Sequence, residues 1–327
     1  MPSSRILGTG SYAPPRILTN ADLEKMVDTN DEWIVTRTGI SERHMVSDEE
    51  ATSDIAYEAA VRALAAAHLD PIDLDMILVA TITPDMFFPS TACVLQDRLG
   101  ARRAGAMDIS AACSGFVYGL AVADGLLRLG TLRTVLVVGA ETLTKIVNWQ
   151  DRNTCVLFGD GAGAMVLRAD EGERGLLSTH LFADGTKGPV LILPGGGSRH
   201  PASRSVLDAG LCKIHMGSGN EVFKIAVRAM EEACLTALKH NGLEVGDLDL
   251  LVPHQANLRI INAVGQRLGL PEDKVCVNIR NYGNTSAASI PLALDGAVQA
   301  GRVKAGDLVL LCAFGGGLTW ASALIRW

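Results

Sequence analysis

The chain repeats its own order of elements, and this constrains its fold more than any other feature. Ala60–Leu64 running on to Asp73–Val79 matches Leu235–Leu238 running on to Asp247–Val252, 174 positions later. Both stretches read as helix, turn, strand. Further along, Asp124–Gly125 to Gly130 and then Val135–Ala140 is echoed by Asp295–Gly296 to Gly301 and then Leu308–Ala313, at an offset of 171 to 173. Two pairs of segments in one order and at nearly one offset point to a duplicated α/β unit. The runs Met76–Ala80, Val135–Gly139, Cys155–Phe158, Ala164–Leu167 and Leu308–Leu311 are continuously apolar rather than alternating, the pattern of strands covered on both faces. Ser53–Ala67 and Glu221–Lys239 carry apolar residues at helical spacing and supply covering layers. Gly185–Gly210, rich in Gly, Pro, Ser and Arg, reads as a connecting loop. The division expected is 1–172 and 173–327.

Composition narrows the function classes. With 327 residues, 48% apolar and 20% charged, the chain buries a large core. Its 29 Lys and Arg against 36 Asp and Glu leave a charge of −7, which argues against a nucleic-acid partner. No apolar stretch approaches the roughly 20 residues that span a bilayer, and the Met1–Arg5 start lacks the apolar core of a secretory signal. The expectation is a cytoplasmic protein with neither membrane nor nucleic acid as partner. Seven cysteines stand 20 or more residues apart with no Cys-x-x-Cys pair, a spacing that fits neither a metal site nor a disulfide framework. Free thiols suit a reducing compartment, where most cysteines are small buried hydrophobes and at most one is a nucleophile.

Three positions follow an expected strand and precede an expected helix, the edge at which sites form in open α/β sheets. Cys113 stands between a strand Ala104–Ile109 and a helix Phe116–Leu129. A thiol at a helix N-terminus faces unpaired N–H groups, which lower a cysteine pKa into a range of about 3.5 to 7.5. The alternative for Cys113 is another buried hydrophobe. His254 sits on the turn between a strand Leu248–Val252, stopped by Pro253, and a helix Leu258–Leu268 closed by Gly269; an ordinary hydrogen-bonded loop histidine is the plainer reading. Asn284 lies between a strand Val275–Ile279 and a helix starting near Ala287, where turn chemistry or a helix cap explains it equally well. Gly8–Ala13 fits the dinucleotide pattern formally, but Pro14–Pro15 forbids the helix that pattern needs. Gly159–Gly163 reads as a hairpin and lacks a P-loop lysine.

Five segments then carry a resemblance to a known family. They are Asp28–Ile40, Ala111–Phe116, Pro253–Asn257, Gly283–Ser289 and Phe314–Gly317. Together, in this order and over nearly the whole chain, they resemble β-ketoacyl-ACP synthase III. The resemblance implies the thiolase fold, with duplicated halves stacked as a five-layer αβαβα sandwich, and a homodimer. It implies that Cys113 takes an acyl group from an acyl-CoA starter and that malonyl-ACP, decarboxylated in place, attacks the thioester. The products are a 3-oxoacyl-ACP, CoA and CO2, initiating type II fatty acid synthesis. His254 and Asn284 would stabilise the enolate, and the N–H groups of Cys113 and Gly316 would form a second oxyanion site.

Carried over motif by motif, Trp33, Arg37 and Arg152 would bind CoA, while Phe88, Phe158 and Phe314 would line the acyl pocket, with Phe88 reaching across the dimer. Lys224, Gln255, Ala256, Asn257, Leu258, Arg259 and Arg267 would meet the acyl carrier protein. Arg259 and Arg267, eight residues apart, fall on one helical face. No cofactor and no metal are implied, since acyl-CoA is a substrate. Leu318 and Cys312 stand where the family carries Phe and Glu, which bears on the shape of the acyl pocket. The alternative is an acyltransferase of the same fold in a secondary pathway, joining an acyl group to an amine, alcohol or β-keto acid.

Overall fold

The computed structural model describes residues 3–327; Met1 and Pro2, the beginning of the Met1–Arg5 stretch read above, lie outside the described residues. Nine strands form one hydrogen-bonded ladder: β1 Ser3–Tyr12, β2 Met76–Ala80, β3 Gly105–Ile109, β4 Thr134–Thr142, β5 Asp160–Asp170, β6 Gly175–Ala183, β7 Leu250–Pro253, β8 Leu308–Gly315 and β9 Thr319–Arg326. Their spatial order is β7-β8-β9-β6-β1-β5-β4-β2-β3. Each end is parallel, β2 with β3 and β4, and β7 with β8. The middle strands are antiparallel, and one register pair, Ser4 with Leu176, links β1 to β6.

Seven helices cover this ladder or border the site: α1 Asp31–Thr38, α2 Thr52–Ala67, α3 Thr91–Leu99, α4 Gly115–Arg128, α5 Gly219–His240, α6 Leu258–Leu268 and α7 Ser289–Gln299. Successive side chains of a strand point to opposite faces, so a strand buried on both sides must be apolar throughout. In β8 the residues Leu308, Leu310, Cys312 and Phe314 pack toward α5 and α6, while Val309, Leu311 and Ala313 pack toward the middle of the molecule. There α4 and α7 lie between the two sets of strands, Phe116 and Leu120 sharing one core with Ile290 and Leu294. Ile55, Ala59 and Ala63 of α2 cover the far face of β1, β5 and β4. The stack is thus helix, strand, helix, strand, helix, the expected five layers. The repeat persists in backbone detail: Ala112 and Ser286, 174 residues apart, carry φ of 46° and 47°.

Several local expectations fail. Cys155–Phe158 is no strand, because Arg152–Cys155 forms one helical turn with Asp151 accepting the Asn153 N–H; its apolar residues pack in a satellite core with Ile34 and Leu143. Val275–Ile279 contributes a single bridge, Val275 to Leu251, before Ile279–Tyr282 turns helical. Gly159–Gly163 is no hairpin either: Gly161 and Gly163 lie within β5, where their missing side chains admit Pro291 and Leu292 of α7. Cys93 is exposed and Cys212 half-buried, so those two thiols are not core residues. Among the described residues no helix is long and apolar enough to cross a membrane.

Candidate active site

The turn that carries Cys113 is held from two sides. After β3 the chain makes a 3-10 turn, Ala112–Ser114, directly before α4. Ala112 at φ 46° is a non-glycine residue in the left-handed region, a strain of order 1–3 kcal/mol that persists only where the surroundings enforce it. Here Thr319 Oγ1 donates to Ala111 O at 2.9 Å and Ser114 Oγ donates to Thr319 O at 3.1 Å. A Cβ on Gly315 would sit 2.6 Å from the Cys113 nitrogen, so only glycine lets the end of β8 approach this turn. Gly316 follows within 3.7 Å of Ala112 Cβ by the same measure.

The expected acidic thiol is not found. Cys113 is 7% exposed, and burial pushes its pKa up to about 12, with the Glu141 carboxylate adding to the rise and Ser286 opposing it. Withdrawal from water, which disfavours the thiolate, outweighs its place at the start of α4.

His254 follows β7 and extends its ladder, its N–H donating to Cys312 O at 2.8 Å. Its Nδ1 lies 2.6 Å from Oγ of Ser289, the first residue of α7. That oxygen also accepts the Gln255 N–H at 3.3 Å. Nδ1 is the sole acceptor within reach of the Ser289 hydroxyl among the described residues, so the hydroxyl proton is assigned to that contact and the ring proton to Nε2. Burial holds the imidazole at a pKa of about 3, so it is neutral.

Asn284 sits on the turn before α7, tied to Leu157–Gly159 by two backbone hydrogen bonds of 2.8 and 3.0 Å. Its Oδ1 accepts the Ser286 N–H at 2.9 Å. An oxygen is the only carboxamide atom that accepts, so this bond fixes the side chain with Nδ2 free to donate.

One cavity of about 460 Å3 brings these groups together: Cys113, His254 and Asn284 all line it, with Phe158 and Phe314 beside them and Trp33 and Arg37 among its other walls. The sequence reading missed part of that wall. Leu191, Met216 and Gly217, from the segment read as a connector, also line the cavity; a two-stranded ribbon of Leu191–Ile192 with His215–Met216 holds them there, too short to show as a periodic pattern.

The chain matches the family 3-Oxoacyl-[acyl-carrier-protein (ACP)] synthase III over residues 107–185 and its C-terminal counterpart over 238–327. A relative from Caldanaerobacter subterraneus subsp. tengcongensis, named beta-ketoacyl-[acyl-carrier-protein] synthase III, is 59% identical over 98% of this chain and 97% of its own length. The chain belongs to the β-ketoacyl-[acyl-carrier-protein] synthase III family. A like-named protein of Desulfitobacterium hafniense is 54% identical across 100% of the chain and 98% of its own. The solved structure of the Aquifex aeolicus 3-oxoacyl-[acyl-carrier-protein] synthase III superposes with a TM-score of 0.91 at 50% identity, covering 99% of this chain and 100% of that one. The chain is therefore a condensing acyltransferase of the thiolase fold.

Within this synthase the remaining expected site residues separate. Trp33 is half-buried in α1, with the Arg37 and Arg152 guanidinium carbons 4.7 and 5.1 Å from its ring centroid. Arg152 also donates to Asp28 O at 2.7 Å. Phe88 is 85% exposed and lies off the cavity of its own chain, beside a similarly bare Phe87. Gln255 corrects an expectation. It is buried, its Nε2 donates to Pro253 O and Cys276 O, and its Oε1 accepts two N–H groups from Asn278 and Ile279; it locks the His254 loop and offers nothing to a docking surface. Asn257 caps α6 and donates to Arg37 O, while Ala256 and Leu258 are half-buried. Lys224, Arg259 and Arg267 are exposed, although Arg267 is already paired with Glu231 at 2.6 Å.

Proposed function

We propose that this enzyme carries an acyl group from an acyl-CoA starter on Cys113 and condenses it with malonyl-ACP. The observation that carries the reading is the convergence, in one cavity, of a thiol, a neutral imidazole and a carboxamide whose N–H2 is free. In this reading residues 1–172 supply the nucleophile and 173–327 supply the imidazole and the carboxamide.

Cys113 sulfur attacks the acyl thioester carbonyl, the C–S bond to CoA breaks, and CoA leaves. The developing oxyanion is met by the Cys113 and Gly316 N–H groups, which the close approach of Gly315 to the Cys113 turn supports. Malonyl-ACP then loses CO2, and the electron pair of the broken C–C bond becomes an enolate whose oxygen faces His254 Nε2–H and Asn284 Nδ2–H. Neither donor needs to ionise, and a preorganised neutral donor aimed at a developing oxyanion is worth about 2.7–4 kcal/mol. The enolate carbon attacks the Cys113 thioester, releasing the 3-oxoacyl-ACP and the Cys113 sulfur. Phe158 and Phe314 would face the acyl chain. No bound cofactor takes part in these steps.

CoA would enter along Trp33 and Arg37. Because both guanidinium groups lie over the Trp33 ring, an adenine stacking there displaces one of them, with Arg37 and Arg152 free to turn to the ribose and phosphates. Lys224 and Arg259 offer exposed positive charge to an acidic carrier protein, with Arg267 a weaker contributor because Glu231 neutralises it. The bare Phe87 and Phe88 support a homodimer, in which Phe88 reaches the acyl pocket of the partner subunit. The setting is cytoplasmic.

Intact mass after incubation with acetyl-CoA tests the reading: one acyl group per chain is expected, and none in Cys113→Ala. Malonyl-ACP should then discharge that group with one CO2 released per acyl transferred. An adduct that survives in Cys113→Ala, or discharge without CO2, overturns it.

A further inference from the structure

One buried acid stands behind the nucleophile without a role in these steps. Glu141, the penultimate residue of β4, is 0% exposed. Its Oε2 accepts three hydrogen bonds, from Thr81 Oγ1 at 3.2 Å, Ile82 N at 3.1 Å and Thr83 Oγ1 at 2.7 Å, whereas Oε1 has no partner among the described residues. The Ser286 hydroxyl, 1% exposed, also lacks a hydrogen bond of ordinary length and geometry among the described residues. Two unpartnered polar groups buried in one region are costly, and a catalytic role is one of the few reasons such groups are kept.

The backbone places them together. A Cβ on Gly139 would lie 2.3 Å from Ala287 O, so the 3-10 turn Ser286–Ala288 packs directly on β4. Glu141, two residues further on, shares that face. Gly115, next to the Cys113 turn, would place a Cβ 3.5 Å from Ala287 Cβ, so the two turns are adjacent. Ser286 is close enough to both Cys113 and Glu141 to lower the pKa of each. The groups acting most strongly on Glu141 are Thr83, Ile82, Ser286 and Thr81, all neutral, and burial lifts it to about 7. Among the described residues no ion pair involves it. His254, held near 3, is a poor base for the thiol.

We propose that Glu141 holds the Cys113 proton between the two half-reactions, receiving it through the Ser286 hydroxyl. The inference rests on Cys113 being the nucleophile. As sulfur attacks the acyl-CoA, the thiol proton passes to Ser286 Oγ while the Ser286 proton passes to Glu141 Oε1; the new Cys113 S–C bond forms, the C–S bond to CoA breaks, and the expelled CoA thiolate takes a proton from water. When condensation expels the Cys113 thiolate, the proton returns by the same path. One cycle consumes a single proton from solvent, the one found on CoA. Protonating Glu141 also removes the negative charge that opposes the thiolate. Glu141 touches neither substrate nor sulfur and is a positioning residue for that proton.

The test is the pH dependence of Cys113 alkylation by iodoacetamide, which needs neither acyl-CoA nor carrier protein and so fails or succeeds apart from the substrate reading. In the unaltered enzyme the rate should rise to about pH 7 and then flatten as Glu141 ionises. Glu141→Gln should abolish that bend and slow alkylation at pH 8 about 10²-fold, the lower end of what a positioned base contributes. Coulomb repulsion alone predicts the reverse, since removing the charge eases thiolate formation. A Glu141→Gln rate equal to or above that of the unaltered enzyme, or a bend that survives, therefore overturns the proposal. Ser286→Ala keeps the carboxylate and breaks the path; it should also lose the bend, and this reads the proposal even where Glu141→Gln does not fold.

Discussion

Replacing Asn284 by Ala separates the two half-reactions and the two atoms of one carboxamide. Nδ2 is the atom aimed into the cavity, because Oδ1 is committed to the Ser286 N–H at 2.9 Å. Loss of one donor to a developing oxyanion costs about 2.7–4 kcal/mol, or 10²- to 10³-fold in rate. That cost falls only on the step in which the enolate forms. Loss of Oδ1 leaves the buried Ser286 N–H unpaired, which costs about 1–3 kcal/mol of stability. With enzyme already acylated on Cys113, single-turnover CO2 release from malonyl-ACP should slow by 10²- to 10³-fold, while acylation by acetyl-CoA changes by no more than a few-fold. The melting temperature should drop by a few degrees. Decarboxylation within about tenfold of the unaltered enzyme would refute the reasoning, since 1.4 kcal/mol is too little for a preorganised donor. Equal loss in both half-reactions would mean that the turn, and not the N–H group, had been damaged.

His254 supplies a pH signature of stability. Its pKa of about 3 lies below the ordinary 6.5, so the unfolded chain binds a proton that the folded chain refuses. Stability then rises with pH between about 3 and 6.5 and is lost on acidification through that window; denaturant unfolding of His254→Gln should show a shallower acid slope, and an unchanged slope would contradict the assigned neutral ring. Trp33→Ala should raise the KM for acyl-CoA well above any change in the KM for malonyl-ACP, and equal effects on both would remove the adenine from this position.

The duplicated architecture was legible because burial on both faces forces continuous apolar strands, and the spacing between matching segments survives in the backbone as the paired left-handed residues Ala112 and Ser286. Helices with a clear apolar stripe were placed almost to the residue: Leu258–Leu268 is α6, closed by Gly269 at φ 70°. Short apolar runs misled. Cys155–Phe158 is apolar because it roofs a satellite core, and periodicity over four residues cannot separate a strand from a helical turn. Gln255 was misplaced on the surface because a family motif ties it to the docking loop, whereas its amide is spent on Pro253, Cys276, Asn278 and Ile279.

The acidity of Cys113 failed for a different reason, and it bears on how the reaction begins. Position before a helix is a local property, written in the residues that follow Cys113, and it argues for a thiolate. Burial under Gly315 and the charge of Glu141 come from segments far away in the chain, and they argue for a thiol. Withdrawal from water dominates, so the resting nucleophile is protonated. The proton must then leave during attack rather than before it, which makes the acceptor part of the acylation step. An enzyme whose thiol ionised beforehand would alkylate as fast or faster without the Glu141 carboxylate, since that charge opposes the thiolate; one whose thiol ionises only as the bond forms would slow.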